Sequence, residues 1–278
     1  MSKATVKRER LRSILSGDKA ISVASVFDPV SARMASDIGF DLAIVGGSVA
    51  SQVTLAAPDI GLLTLTELAG LTQRISMHSA VSLIVDGDGG YGNSSNVMRT
   101  VEELEYAGAA MVTIEDTELP SAYGQQGHSL ISIEEASDKI KSALWARSDN
   151  RLAIFARTMG NQPLPELLAR VQAFTKAGAD GICLFNCESK AALLACAEHT
   201  PLPIFLINYA RPQWMTAALL LENRVKALFE GHKTYKAAMA AAHRSLAQCF
   251  EGEVNSNALF EATPQDFLND YALPTQQG

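Results

Sequence analysis

The sequence alternates regularly between short apolar runs and longer amphipathic segments, and this alternation restricts the fold more than any other feature. Each run is four to six residues long and apolar at both odd and even positions, which is typical of a parallel strand buried on both faces. The chain is therefore predicted to alternate strands with helices. The eight runs lie at residues 21–26, 42–45, 81–85, 110–114, 152–156, 181–185, 204–207 and 225–229.

The segments between the runs carry residues typical of helix ends. Asp28 followed by Pro29 predicts a helix start, since Asp caps free backbone N–H groups and Pro suits the first helical position. Thr64 and Glu67 fit a reciprocal cap, and Gly39 predicts a helix end. These signals support helices in the connecting segments.

Eight strands alternating with helices can form a closed barrel or a doubly wound open sheet. No Gly-x-Gly-x-x-Gly follows the first run, so the dinucleotide-binding version of the open sheet lacks its fingerprint. The 278 residues suit one barrel of about 250 residues. We predict an α/β fold, a (β/α)8 TIM-type barrel, as one domain over residues 1–278. The predicted C-terminal helical extension covers about residues 240–278, with a polar, irregular tail from about 251.

The charge pattern excludes several function classes. The net charge is −7 and no block of basic residues occurs, so a nucleic-acid surface is not expected. No apolar run reaches the roughly 18 residues of a membrane span, and the charged N-terminus does not resemble a signal peptide. We expect a cytoplasmic protein whose four cysteines (Cys183, Cys187, Cys196 and Cys249) are reduced.

Polar and charged residues follow the apolar runs at the points where the strands should end. In a barrel these points surround one mouth, which is where such folds place their active sites. The sequence therefore predicts an active site at the carboxyl ends of the strands. Its candidates are Asp28, residues 46–48, residues 86–93, Glu115, Asp116, Arg157, Asn208, Tyr209 and residues 230–232.

An acidic trio among these residues indicates a metal site. Asp86 and Asp88 are two positions apart, so extended chain directs them to the same side, and Glu115 ends the next strand. Oxygen ligands suit a hard cation, Mg2+ or Mn2+. The alternative is a solvated acidic turn.

Four more residues are candidates for contacts with a substrate. Arg157 could bind a carboxylate or a developing oxyanion, or form a structural ion pair with Glu115 or Asp116. Ser48 follows two glycines, where backbone N–H groups can reach a substrate oxygen. Tyr209 could donate a hydrogen bond or simply pack, and His232 has a structural alternative as well.

At these residues the sequence resembles the isocitrate lyase and phosphoenolpyruvate mutase superfamily. Residues 86–93, Asp-Gly-Asp-Gly-Gly-Tyr-Gly-Asn, are close to its D-x-D-x-G-Y-G-N motif, residues 114–116 match its I-E-D, and residues 156–157 match its A-R. Asp59 matches a P-D element whose Asp is functional in family members. The resemblance runs from about residue 24 to about residue 238.

The resemblance implies roles for these positions. Asp86, Asp88 and Glu115 would hold Mg2+ directly or through water, and the backbone at Gly47 and Ser48 would bind substrate oxygens together with Arg157. The last helix would be exchanged between subunits of a homo-oligomer, a dimer or a tetramer.

The branch of the superfamily is indicated by other residues. Lyases carry a K-[KR]-C-G-H loop, whereas residues 120–128 here contain no Cys. Residues 47–51, 57–59, 96–101, 208–209 and 231–233 resemble the biotin-independent oxaloacetate decarboxylases. In that branch Tyr209 and His232 would be paired site residues.

We therefore expect Mg2+-dependent decarboxylation of oxaloacetate to pyruvate and CO2, with Arg157, Tyr209, His232 and Asp59 as candidate catalytic residues. Two alternatives remain open. One is a carbon–carbon lyase acting on another 2-hydroxy or 2-oxo diacid, as a methylisocitrate lyase does. The other is a non-catalytic barrel that binds oxo acids.

Overall fold

The computed structural model describes residues 2–121 and 129–251. All eight predicted strands are present, each followed by helical structure. The strands are β1 Ile21–Ser22, β2 Ala24–Ser25, β3 Leu42–Val45, β4 Ser82–Asp86, β5 Met111–Glu115, β6 Ala153–Met159, β7 Gly181–Phe185, β8 Ile204–Ile207 and β9 Val225–Phe229. The helices are α1 Lys3–Ser16, α2 Pro29–Ile38, α3 Gly47–Leu55, α4 Leu65–His78, α5 Ser94–Tyr106, α6 Ile133–Ala146, α7 Leu164–Ala177, α8 Lys190–His199, α9 Ala217–Glu222 and α10 Lys233–Glu251.

The sheet closes because its first predicted strand pairs on both sides. β1 pairs with β9 and β2 pairs with β3, all in parallel, and between them the Val23 N–H donates to the Leu228 carbonyl at 2.9 Å. The remaining strands pair with their sequence neighbours. β1 and β2 are thus two halves of the first strand of the barrel. The predicted (β/α)8 TIM-type barrel is confirmed, and the open doubly wound sheet is excluded.

Two apolar cores fill the barrel and its surroundings. Side chains of one parity, such as Ile84, Phe155 and Phe205, form the interior together with Leu11 and Leu15 from α1. Side chains of the other parity pack between the strands and the surrounding helices. Because α1 supplies apolar residues to the interior, it closes one end of the barrel and leaves the carboxyl ends of the strands for the site.

The predicted helix ends are confirmed. Asp28 and Thr64 both form reciprocal caps, with Ser31 and Glu67 respectively. Gly39 ends α2 with a φ of 105°, in the left-handed region that glycine adopts readily. These residues fix both ends of α2 and the start of α4.

Two predictions from the sequence meet the described ranges only in part. Residues 240–251 of the predicted extension belong to α10, which already begins at Lys233. Residues 252–278 lie outside the described residues. Residues 122–128, in the loop that contains no Cys, also lie outside them.

The cysteines are all free thiols. Cys183, Cys187 and Cys196 are buried, and Cys249 is exposed. Within the described ranges, no helix is long and apolar enough to cross a membrane.

Candidate active site

Three charged side chains from adjacent strands meet inside the mouth of the barrel. Glu115 at the end of β5 and Arg157 on β6 are register partners, so their side chains point to the same face of the sheet. Arg157 Nη2 lies 3.1 Å from Glu115 Oε2, and Arg157 Nη1 lies 2.5 Å from Asp86 Oδ2 at the end of β4. The guanidinium therefore binds two carboxylates, and Glu115 is one of the two acids considered above as its ion-pair partner.

Asp116 faces the other way, because strand neighbours alternate. Its carboxylate accepts a hydrogen bond from Thr158 at 2.7 Å and pairs with Arg170 of α7 at 3.1 Å. Asp116 is thus part of a buried network between the barrel and its helices, and Arg157 pairs with Glu115 and Asp86 instead.

Asp88 and Asp59 both lie against the Cα atom of Gly47. A Cβ atom at Gly47 would lie 3.0 Å from Asp88 Oδ1 and 3.2 Å from Asp59 Oδ2. The Gly47 N–H lies 3.5 Å from Asp86 Oδ2, so the backbone of residue 47 adjoins all three carboxylates. A side chain at residue 47 would crowd both carboxylates, which glycine avoids.

The carboxylates carry more negative charge than their surroundings neutralise. Burial, and then repulsion from Asp86 and Glu115, raise the pKa of Asp88 well above its usual range. Burial also raises the pKa of Glu115, although Arg157 opposes this. Burial of Arg157 lowers the pKa of its guanidinium, but the charges of Asp86 and Glu115 outweigh this effect and raise that pKa. Arg157 thus offsets only part of the repulsion that Asp88 receives from its neighbouring carboxylates, and a divalent cation would relieve the rest.

The donor set suits Mg2+, although it does not form a finished cage. Among residues 2–121 and 129–251, no three His, Cys, Asp or Glu side chains are grouped closely enough to hold an ion by themselves. Asp86 and Glu115 are engaged with Arg157 instead. Mg2+ retains several water ligands and needs only one or two protein carboxylates, so the oxygen-only donors and the excess negative charge fit this ion.

Ser48 and Tyr209 form a hydrogen-bonded pair beside the charged cluster. Tyr209 follows β8 and is 46% exposed, so its ring is accessible from solvent. Burial raises the pKa of its hydroxyl, while Arg157 and a hydrogen bond with the Ser48 side chain lower it. The ring packs edge-on against Phe185 at 6.0 Å.

His232 lies beside Ser25 of β2 and Gly46, which contact the two edges of its ring. Its Nδ1 atom is 2.8 Å from Ser25 Oγ, and a Cβ atom at Gly46 would lie 2.6 Å from its Nε2 atom. Burial lowers the pKa of His232 to about 4, against the attraction of Asp86. The imidazole is therefore neutral at neutral pH, and one of its two nitrogens carries the proton.

Sequence reasoning missed Ser25 and Phe185. Phe185 ends β7, and the guanidinium carbon of Arg157 lies 4.8 Å from the centre of its ring, a distance at which a cation and an aromatic face attract. Both residues belong to runs that were interpreted only as strands. Each lies at the carboxyl end of a strand, and this position could have identified both as candidate site residues.

Comparison with known proteins identifies related sequences and folds. Residues 11–250 match the phosphoenolpyruvate phosphomutase family. The chain is 44% identical over 264 residues to oxaloacetate decarboxylase 2 of Pseudomonas fluorescens (strain Pf0-1), covering 95% of this chain and 91% of that one. It is 45% identical over 270 residues to an oxaloacetate decarboxylase of Pseudomonas aeruginosa (strain LESB58), covering 97% and 92%.

A solved structure has the same fold and carries ligands. The structure of phosphonopyruvate hydrolase in complex with oxalate and Mg2+ superposes with a TM-score of 0.82 at 26% identity, covering 95% of this chain and 94% of that chain. In that protein of the same fold, the small dicarboxylate oxalate and Mg2+ are therefore bound together.

Proposed function

The chain belongs to the phosphoenolpyruvate phosphomutase family, and on that premise we propose that it decarboxylates oxaloacetate to pyruvate and CO2 with a bound divalent cation. The observation that carries the proposal is the Arg157 guanidinium, which joins carboxylates from two strands opposite the glycine backbone at residue 47. Relatives at 44% and 45% identity, named oxaloacetate decarboxylases, support the same reaction. The enzyme would be a carboxy-lyase.

Asp86, Asp88 and Glu115 would hold the cation, Mg2+ or alternatively Mn2+, directly or through water. When bound, the cation would supply a Lewis acid beside the C2 oxygen of the substrate. Asp59 adjoins the same backbone as Asp88 and would order water around the ion. These assignments are supported by the charge imbalance of the site.

Gly47, Ser48 and Arg157 would bind the oxygens of the oxo acid. A helix begins at Gly47, and the free N–H groups of a helix start attract negative charge. Arg157 carries a positive charge at every physiological pH. Together these groups would stabilise the enolate of pyruvate, whose negative charge develops as CO2 leaves.

Tyr209 and His232 would receive the carboxylate that leaves and protonate C3. Both side chains are neutral at neutral pH, because burial raises the pKa of Tyr209 and lowers that of His232. A carboxylate is stabilised less by neutral partners than by a positively charged one. Neutral partners therefore favour the conversion of the carboxylate to uncharged CO2. The proposal assigns the protonation of C3 to this pair of side chains.

Removal of the metal tests the proposal directly. Purified protein with Mg2+ is expected to release pyruvate from oxaloacetate well above the rate of a Mg2+ solution without protein. EDTA should abolish this excess and added Mg2+ should restore it, because the charged site needs its counter-ion. Pyruvate is measured with a coupled dehydrogenase assay.

The same assay distinguishes the alternatives. A rate equal to that of the metal-only blank contradicts the proposal. Release of glyoxylate or pyruvate from a 2-hydroxy diacid would support the carbon–carbon lyase, and tight Mg2+-dependent oxalate binding with no turnover of any oxo acid would support the non-catalytic barrel.

We also propose that the chain forms a homo-oligomer, a dimer or tetramer, in which α10 packs on a second copy. Met239, Leu246 and Phe250 lie on one face of α10 and are exposed, a costly arrangement unless another surface covers them. An apolar groove of about 580 Å³, lined in part by Val30 and Met34 of α2, is the surface we assign to them.

A charge on the exposed face of α10 should weaken this assembly. Leu246→Glu is expected to shift the protein toward smaller species, because burial of the new carboxylate is unfavourable. Sedimentation velocity measures the distribution. Arg244→Glu, on the opposite face of the same helix, is the matched control and should leave it unchanged. An unaltered distribution for Leu246→Glu contradicts the proposed contact.

A further inference from the structure

The ring of His232 is held in one orientation by three contacts. Ser25 Oγ lies 2.8 Å from Nδ1, the Phe229 ring packs edge-on at 4.9 Å, and the Gly46 backbone lies against the Nε2 edge. Ser25 and His232 are both buried. Since the ring is fixed, its chemistry depends on which nitrogen carries the proton.

The Nε2 edge of the ring lies against the Gly46 backbone, which leads into the charged part of the site. Gly46, which this edge contacts, precedes Gly47, whose N–H lies 3.5 Å from Asp86 Oδ2. The negative charge of Asp86 acts on this ring, so it repels a lone pair on the nearby edge and attracts an N–H there. The electrostatic field of the site thus favours a proton on Nε2.

A proton on Nε2 leaves Nδ1 as a buried acceptor, which needs a donor. The Ser25 hydroxyl can rotate to donate its one proton to Nδ1. The opposite arrangement, with Nδ1–H donating to Ser25 Oγ, would leave an Nε2 lone pair in the negative field of Asp86. Burial supports a single-proton ring, because it lowers the pKa of His232 to about 4.

We propose that Ser25 is a positioning residue that donates to Nδ1 of His232 and so holds the imidazole as the Nε2–H tautomer, which donates to the departing carboxylate of oxaloacetate. The part concerning oxaloacetate rests on the proposed function. The part concerning the tautomer rests on the contacts of Ser25, Gly46 and His232 and on the negative charge of Asp86, and it needs no substrate.

Loss of the Ser25 hydroxyl should lower activity without unfolding the chain. Ser25→Ala is expected to reduce kcat/KM for oxaloacetate about 10–100-fold, the range found when the partner that orients a histidine is removed. Ser25→Thr retains a hydroxyl and should recover most of that loss. Ser22→Ala, on an exposed serine of the same strand of the barrel, is the matched control and should retain wild-type kinetics.

The decisive readout is the 15N NMR spectrum of the histidine rings. His232 is assigned by the signals lost in His232→Gln, and in the wild-type protein at pH 7 it is expected to show a protonated Nε2 and an unprotonated Nδ1. Ser25→Ala should move both signals toward a mixture of tautomers. A wild-type ring protonated on Nδ1, or signals unchanged in Ser25→Ala, overturns the tautomer assignment.

Kinetics and spectra separate the two proposals. The spectra need no substrate, so the predicted tautomer in a protein that does not turn over oxaloacetate would support the role of Ser25 and contradict the proposed function. A changed tautomer in Ser25→Ala with undiminished kcat/KM would overturn the link between Ser25 and the leaving carboxylate.

Discussion

Replacing Arg157 with lysine is expected to lower kcat/KM for oxaloacetate by about 10²–10³-fold, the usual loss when one donor to a developing oxyanion is removed. The planar guanidinium reaches Asp86 and Glu115 with different nitrogens, at 2.5 and 3.1 Å. It also lies over the Phe185 ring. A lysine keeps the charge but has a single ammonium group, which cannot reproduce the two-pronged geometry.

Steady-state kinetics with the metal-only rate subtracted measures the effect. Arg99→Lys is the matched control, because Arg99 forms an exposed pair with Glu103 on α5 and such pairs contribute little. Its kcat/KM should equal that of the wild-type protein. If Arg157→Lys keeps more than about a third of wild-type kcat/KM, the oxyanion role of Arg157 is wrong.

A second variant separates charge from geometry. Arg157→Met leaves Asp86 and Glu115 buried without their counter-charge, and breaking a buried pair in this way costs about 3–5 kcal/mol of the free energy of unfolding. Urea denaturation in EDTA measures this loss. Arg157→Lys should lose much less stability, because it keeps the positive charge.

The barrel could be predicted because each strand is apolar on both faces, a pattern that requires a layer on either side. The sequence did not indicate that the first strand divides its pairing between β3 and β9, since this follows from closure of the ring. α10 begins at Lys233 and continues past residue 240, near which the C-terminal extension was predicted to begin.

The site could be predicted as a set of strand ends but not as a set of contacts. Alternation implies that Glu115 and Asp116 point to opposite faces, yet it does not say which of them points inward. The register between Glu115 and Arg157 answers this. Ser25 was missed because its partner, His232, is 207 residues away, and nothing in a run of mostly apolar residues signals such a contact.

Replacing Asp88 with asparagine is expected to abolish Mg2+-dependent activity and yet to stabilise the metal-free protein at neutral pH. Burial and repulsion from Asp86 and Glu115 raise the pKa of Asp88 well above its usual range. Its charged form is therefore disfavoured in the folded chain when no cation is bound. Asparagine has nearly the same shape and carries no charge.

The pH dependence gives the sign of this effect. Because the folded state binds the Asp88 proton more tightly than the unfolded state, the wild-type protein loses stability as pH rises from the usual pKa of an aspartate, near 3.8, to the raised value. The amide of the variant has no proton to lose, so the advantage of Asp88→Asn should grow across that window and then level off. Urea denaturation in EDTA from pH 4 to pH 8 measures it.

Addition of Mg2+ should reverse the order of stability. Binding to the folded state alone adds about 2.7 kcal/mol when the free ion is at 100 times its Kd, and the wild-type protein should gain this stabilisation while Asp88→Asn gains little. Asp138→Asn is the matched control, because Asp138 is exposed on α6 beside Lys141. If Asp88→Asn responds to Mg2+ as the wild-type protein does, Asp88 does not hold the ion, because a carboxylate that holds a cation cannot be replaced by an amide without weakening its binding.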